Sequence, residues 1–283
     1  MATSEEAHRL NQQIKSAAQA AGMTPERLRK RIAFQRMLAR FALDPAWVLK
    51  GGFSLEMRLG LVARATKDLD LWRLSPPVAN PFDLQDLVDA ALETDLHDGF
   101  TFRVGKPRHM DIADAEPATW RVGIETLYFG SPFVFASLDV VTTAEDVTAQ
   151  TDVVRIEPVL VGDPFNVPAV DLNRHGAEKY HAMVRIYAND RPSTRVKDLV
   201  DVVLLIEGGW LTPPRLATAL RRVFAERNNM APPAMMPEWP PADWAASYAR
   251  LASDTGAGVA DVRQAWQMAA TFYAQALGQS DDV

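Results

Sequence analysis

Thr66-Lys67-Asp68-Leu69-Asp70-Leu71 is the stretch where residue type and spacing point most directly to chemistry. Charged and apolar residues alternate there, which is the period of a β-strand. Residues two apart in a strand project from one face. Asp68 and Asp70 therefore stand side by side, while Leu69 and Leu71 turn to the core. Two carboxylates that close repel unless a cation sits between them. Hard divalent ions such as Mg2+ take oxygen ligands and keep positions open for substrate phosphates. A D-x-D pair alone is equally consistent with a solvated strand edge, and metal-dependent glycosyltransferases also use one.

A third carboxylate stands in SPFVFASLDVVTT, an apolar strand pattern whose single ionisable residue is Asp139. An unpaired carboxylate is costly to bury. Asp139 must lie at the strand's exposed end, or meet a cationic partner such as a core arginine, or complete a site with the D-x-D pair. Three carboxylates on neighbouring strands would suit two metal ions about 3.5–4 Å apart, the arrangement that clamps an in-line phosphoryl displacement. Upstream, Lys50-Gly51-Gly52-Phe53-Ser54 joins a strand pattern to a helix pattern. Glycines admit close backbone approach, and a helix N-terminus offers free N–H groups to phosphate. Ser54 adds a hydroxyl. The P-loop pattern G-x-x-x-x-G-K-[ST] is absent, and Gly-Gly can equally be a simple tight turn.

The elements that hold these residues can be read in outline. Helix patterns cover 6–21 and 24–40, the second with Thr24 as N-cap and Pro25 in its first turn. This second helix carries Arg27, Arg29, Lys30, Arg31, Arg36 and Arg40. Strand patterns follow at 100–108, 119–129, 132–142 and 153–161, rich in Val, Phe, Thr and Ile. After Pro168 the pattern turns helical, at 171–188, 194–207, 213–227, 242–252 and 258–277, with a Pro-rich connection at 229–241. The expectation is an α/β (α+β) half at 1–168 and a helical domain at 169–283.

Two of the later helices carry polar faces. Lys179 and Met183 are four apart and share one face; a lysine there can approach phosphates, or simply be solvated. Asp198, Asp201 and Leu205 line one face of the next helix, with the acids able to orient Lys179 or Arg195, contact an ion, or form an exposed stripe.

Composition narrows the classes. The 283 residues carry a net charge of −6 and are 48% hydrophobic and 23% charged, close to globular usage. An acidic chain is not a non-specific DNA coater, although a local basic groove is compatible with it. The lack of cysteine excludes disulfides, thiolate metal sites and a Cys nucleophile. No apolar run approaches the ~20 residues of a membrane helix, and the polar N-terminus lacks a signal-peptide core. A cytoplasmic protein with no membrane partner is expected.

In combination these segments resemble a known family. VLKGGFSLEMRLG, a short spacer and ARATKDLDL resemble the first motif of the DNA polymerase β-like nucleotidyltransferases, and more closely that of the AbiEii/AbiGii toxin group, which includes the MenT-type toxins. NRHGAEKYHAMVRIYAN resembles that group's lysine-bearing helix, and RPSTRVKDLVDVVLLIE its R-x-KD-x-x-D helix. The likeness covers roughly residues 45–207.

The resemblance implies a polymerase β-like mixed sheet with flanking helices, followed by a helical C-terminal domain. It implies that Gly51, Gly52 and Ser54 hold the triphosphate, and that Thr66 precedes the acidic pair at the nucleotide. Asp68, Asp70 and Asp139 would be catalytic and bind Mg2+, with a two-ion site open to them. Lys179 would contact the nucleotide, with Asp198 at the nucleotide and Asp201 in the catalytic set. The implied reaction moves an NMP unit from an NTP to an acceptor, the 3′ end of tRNA being the one the MenT-type toxins suggest, and so blocks translation. The basic helix 24–40 and the cluster Arg185, Arg191, Arg195 and Lys197 could guide that RNA. A toxin of this kind has a cognate antitoxin. The alternatives are a small-molecule or protein nucleotidyltransferase on the same fold, and a non-catalytic nucleotide-binding interaction protein.

Overall fold

The computed structural model describes residues 2–60, 66–76, 78, 80–110, 119–144, 147–187 and 191–278. They fall into two compact units that divide between Ala169 and Val170.

The first unit opens with helices α1 (Ala2–Ala20) and α2 (Pro25–Phe41). Thr24 caps α2 by accepting from the Arg27 N–H at 3.2 Å, and Pro25 fills the first turn, where its missing N–H is not needed. Strand β1 (Trp47–Lys50) runs into helix α3 (Gly51–Leu59), then β2 (Asp68–Leu74) and helix α4 (Pro81–Leu92). Strands β3 (Phe100–Val104), β4 (Arg108–Met110), β5 (Thr119–Tyr128), β6 (Ser131–Thr143), β7 (Thr151–Ile156) and β8 (Phe165–Val170) follow.

The sheet order is β3-β5-β6-β2-β1-β8-β7, with β4 also paired to β5. It is mixed: β2 is antiparallel to β1 and parallel to β6, and β5 is antiparallel to β6. Leu69, Leu71, Val122, Ile124, Leu138 and Val140 project from one face into a core shared with Phe34, Met37, Leu38 and Phe41 of α2 and Leu84, Val88 and Leu92 of α4. Each such side chain contributes roughly 1.5–3 kcal/mol by burial. That fixes the register, because a one-residue slip would turn the whole set outward. The intervening residues, Asp68, Asp70, Arg121 and Asp139, therefore face away from α2 and α4.

Two sequence expectations change here. The strand expected at 153–161 ends at Ile156, and Phe165–Val170 forms a further strand that the sequence reading did not contain. Pro168 inside it hid the pattern, since proline is rare within sheets. The basic helix, expected as a candidate guide for RNA, also does not present all its cations to solvent. Arg36 and Arg40 are buried on Asp98, with Arg40 donating to both carboxylate oxygens at 2.9 and 3.0 Å.

The second unit is helical: α5 (Leu172–Val184), α6 (Val196–Glu207), α7 (Pro213–Asn228), α8 (Trp244–Thr255) and α9 (Val262–Gly278). The first is shorter than the expected 171–188, giving way to a two-residue strand pair, Ile186–Tyr187 with Arg191–Pro192; residue 188 lies outside the described residues. Helix α5 packs on α6 and α7, and α9 on the same two. Tyr180, Leu199, Val203, Leu216, Leu220 and Tyr273 are buried there.

Candidate active site

The glycine turn and the D-x-D strand meet directly. Lys50 pairs with Asp70 across β1 and β2, so the chain leaves the sheet at Gly51, opposite that carboxylate. Gly51 has φ +68°, and a Cβ there would overlap the Asp70 side chain. Only glycine combines that backbone conformation with so close an approach. Gly51 also begins α3, whose first-turn N–H groups have no acceptor within the helix.

The third carboxylate joins them by register. β2 and β6 run parallel with Asp70 opposite Asp139 and Asp68 opposite Ser137, which puts all three acids on one face of adjacent strands. Asp139 meets a cationic partner, one of the alternatives open in the sequence, which did not say which arginine it would be. Arg121 of β5 stands opposite it, with Nε donating to Oδ1 and Nη2 to Oδ2, both at 2.7 Å. The same Nη2 lies 3.4 Å from Asp68 Oδ2. Hydrogen bonding to Asp139, with the charges of Asp68 and Asp70 adding to it, pushes the Arg121 guanidinium well above its ordinary pKa despite partial burial.

Oxygen donors from adjacent strands suit a hard divalent ion. A guanidinium already bridges two of the three, so this face attracts positive charge. Among the described residues no group of three acidic or histidine side chains surrounds a single point, and Asp139 is turned to Arg121. Asp68, Asp70 and Asp139 are the residues that would hold an ion.

The neighbouring positions are braced rather than open. The Thr66 hydroxyl donates to the Asp68 carbonyl at 3.1 Å, and its N–H reaches Glu56 Oε2 at 3.5 Å. Gly52 and Ser54 are buried, and the Ser54 hydroxyl accepts from Arg58 Nε at 3.4 Å. The Ser54 hydroxyl is thus engaged by Arg58, whereas Gly51 and the start of α3 stand at Asp70.

Beside Thr66, a cleft of about 270 Å3 is lined by Arg27, Lys30, Arg31 and Lys67 together with Glu26 and Glu56. Burial lowers the Arg31 pKa, an effect that Glu56 at 3.4 Å partly offsets.

The helical unit carries its own ionic cluster. Lys179 is buried on α5 and donates to Asp198 at 3.1 Å and to Asp201 at 2.6 Å, and Arg195 Nε donates to Asp198 at 2.7 Å. The two acids thus orient Lys179, the first of the roles open to them in the sequence. Neither lysine nor acids form a solvated stripe. Burial alone would raise the Asp198 pKa, but Lys179 and Arg195 hold it well below the usual carboxylate range.

Sequence reasoning missed Arg121. A signal existed, since Arg121 alternates with the apolar Trp120 and Val122 and so had to share a face with the polar side of the next strand. A register counted back from the Tyr128–Ser131 pair would set it opposite Leu138. An irregularity between Thr126 and Leu127 shifts the pairing by one and brings it to Asp139. Bulges re-aim side chains in this way and recur beside active sites.

Compared with curated proteins, the chain matches none. Among family models, residues 32–271 match the nucleotidyl transferase AbiEii toxin, type IV toxin–antitoxin system. That span includes the glycine turn, the three strand carboxylates, Arg121 and the Lys179 cluster. Membership implies a nucleotide substrate and a cognate antitoxin. The chain belongs to the AbiEii nucleotidyltransferase toxin family of type IV toxin–antitoxin systems.

Proposed function

We propose that this toxin transfers an NMP unit from an NTP to the 3′ end of tRNA, with Mg2+ held by Asp68, Asp70 and Asp139, and thereby stops translation. The observation that carries the reading is the pairing of Asp70 with Asp139 beside the Gly51 turn, which joins acidic residues to a helix start on one sheet face. The helix start receives the triphosphate, and its N–H groups donate to phosphate oxygens. The acceptor hydroxyl oxygen bonds to the α-phosphorus as the bond to the bridging oxygen of the β-phosphate breaks. Pyrophosphate leaves, and the hydroxyl proton passes to a carboxylate of the face. Mg2+ would supply charge neutralisation for the attacking and leaving oxygens. The protein's share is positioning and fixed electrostatics.

RNA is favoured as the acceptor by the cleft beside Thr66. Arg27, Lys30, Arg31 and Lys67 outnumber Glu26 and Glu56 there on an otherwise acidic protein, and phosphodiester binding rests on such local excess of cations. Incubation with each α-labelled NTP, Mg2+ and either total RNA or total protein tests the proposal. Label in the tRNA fraction, removed by trimming the 3′ end, is the expected result. Label confined to protein or to small molecules would refute the assigned acceptor.

A further inference from the structure

The Arg121 guanidinium caps the face that carries the three acids. It engages both oxygens of Asp139 at 2.7 Å and reaches Asp68 at 3.4 Å. The Asp139 side chain beneath it is only 12% exposed, whereas that of Arg121 is 41% exposed. The arginine is thus a partly solvated cation seated over a mostly covered carboxylate. A bidentate pair of this kind is among the stronger charge-assisted contacts. An ion approaching Asp139 meets a positive charge already in place, and repulsion between the two is strong at a partly desolvated site. The guanidinium has solvent to move into, while Asp139 is fixed in the middle of β6 by pairing on both sides. The irregularity in the β5–β6 pairing is what delivers Arg121 to this position instead of leaving it opposite Leu138.

We propose that Arg121 is a built-in competitor for the divalent cation: it occupies Asp139 and Asp68 in the resting protein, weakens ion binding there, and must swing aside for all three carboxylates to take the ion. This rests on the reading of Asp68, Asp70 and Asp139 as the metal-holding set. Arg121 is then a positioning residue that sets when the site loads.

The test is equilibrium Mn2+ binding to the full chain without nucleotide, followed by electron paramagnetic resonance of free Mn2+. The proteins are wild type, Arg121→Met, Arg121→Lys and the double variant Arg121→Met with Asp68→Asn. Thermal unfolding of each confirms that it is folded. Arg121→Met is expected to bind Mn2+ at least about tenfold more tightly than wild type, because a competing charge is gone. Arg121→Lys, which keeps the charge but loses the fork, should fall between them. Adding Asp68→Asn should abolish the gain. Folded Arg121→Met with unchanged or weaker Mn2+ binding, where Asp68→Asn still reduces binding, would overturn the competition while leaving the metal site standing. Binding indifferent to Asp68→Asn, or no binding by either wild type or Arg121→Met, would overturn the metal site and the competition with it. If Arg121→Met is unstable, Arg121→Lys decides alone, and affinity no tighter than wild type contradicts the proposal.

Discussion

Gly51 and Asp70 share one small space: the glycine, at φ +68°, presents its hydrogen to the carboxylate that stands opposite Lys50 in the sheet. The glycine turn and the acidic strand are therefore one structural unit. A methyl group at Gly51 would displace the carboxylate and strain the backbone together. Gly51→Ala should lower stability by about 1–3 kcal/mol, read as a reduced urea midpoint. It should also reduce nucleotidyl transfer. A variant as stable as wild type would show that the two groups are not in such close approach.

Asp98 neutralises two buried arginines at once. Arg40 is fully buried and forks onto Asp98, and Arg36 Nη1 lies 3.6 Å from the same carboxylate. Asp98→Asn removes the carboxylate onto which Arg40 forks and leaves Arg36 only the charge of Asp163. Breaking a buried pair from one side costs about 3–5 kcal/mol. Denaturant unfolding should show a loss of that order, with no comparable loss from Arg103→Gln, whose partner Glu125 is exposed. Equal losses would mean that Asp98 is not the anchor of α2.

Lys179 was legible as a helix residue aligned with Met183, but its burial was not. The sequence left open whether it approaches phosphates or is simply solvated. Enclosed with Asp198 and Asp201, it now has a structural share as well. Lys179→Met should destabilise by about 3–5 kcal/mol. Lys179→Met with Asp201→Asn should cost less than the sum of the two single changes, because the pair is coupled. Simple additivity in the unfolding free energies would contradict that coupling.

The same cluster sets an acid limit. The Asp198 carboxyl is held below its ordinary value of 3.8 by Lys179 and Arg195, despite burial. A carboxylate whose folded pKa lies below its unfolded one contributes stability above the unfolded value, and that contribution is lost as pH falls through the folded value. Stability should therefore drop steeply below about pH 4, and Asp198→Asn, though less stable at neutral pH, should flatten that limb. Parallel pH profiles for the two proteins would remove Asp198 as a source of the acid sensitivity.

What the sequence could disclose followed from local periodicity. Asp68 and Asp70 against Leu69 and Leu71 is a period-two statement, and the strand obeys it. Thr24 and Pro25 announce the start of α2 within three residues. Asp139 could be recognised as a carboxylate in need of a partner, since burial energetics demand one. The partner itself is 18 residues away, across a hairpin whose register depends on one irregular pairing. No local pattern reports that. Likewise Pro168 concealed β8, and the arginines of α2 gave no sign of which two would find Asp98.

Everything in the account returns to the acidic face of β2 and β6. Asp70→Asn keeps the shape that packs over Gly51 and removes only the charge. Transfer of α-labelled nucleotide to RNA by wild type and Asp70→Asn, beside their thermal midpoints, tests the face most directly. The account predicts loss of labelling by at least about a hundredfold with the midpoint nearly unchanged. Labelling at wild-type rate by a folded Asp70→Asn protein would contradict it.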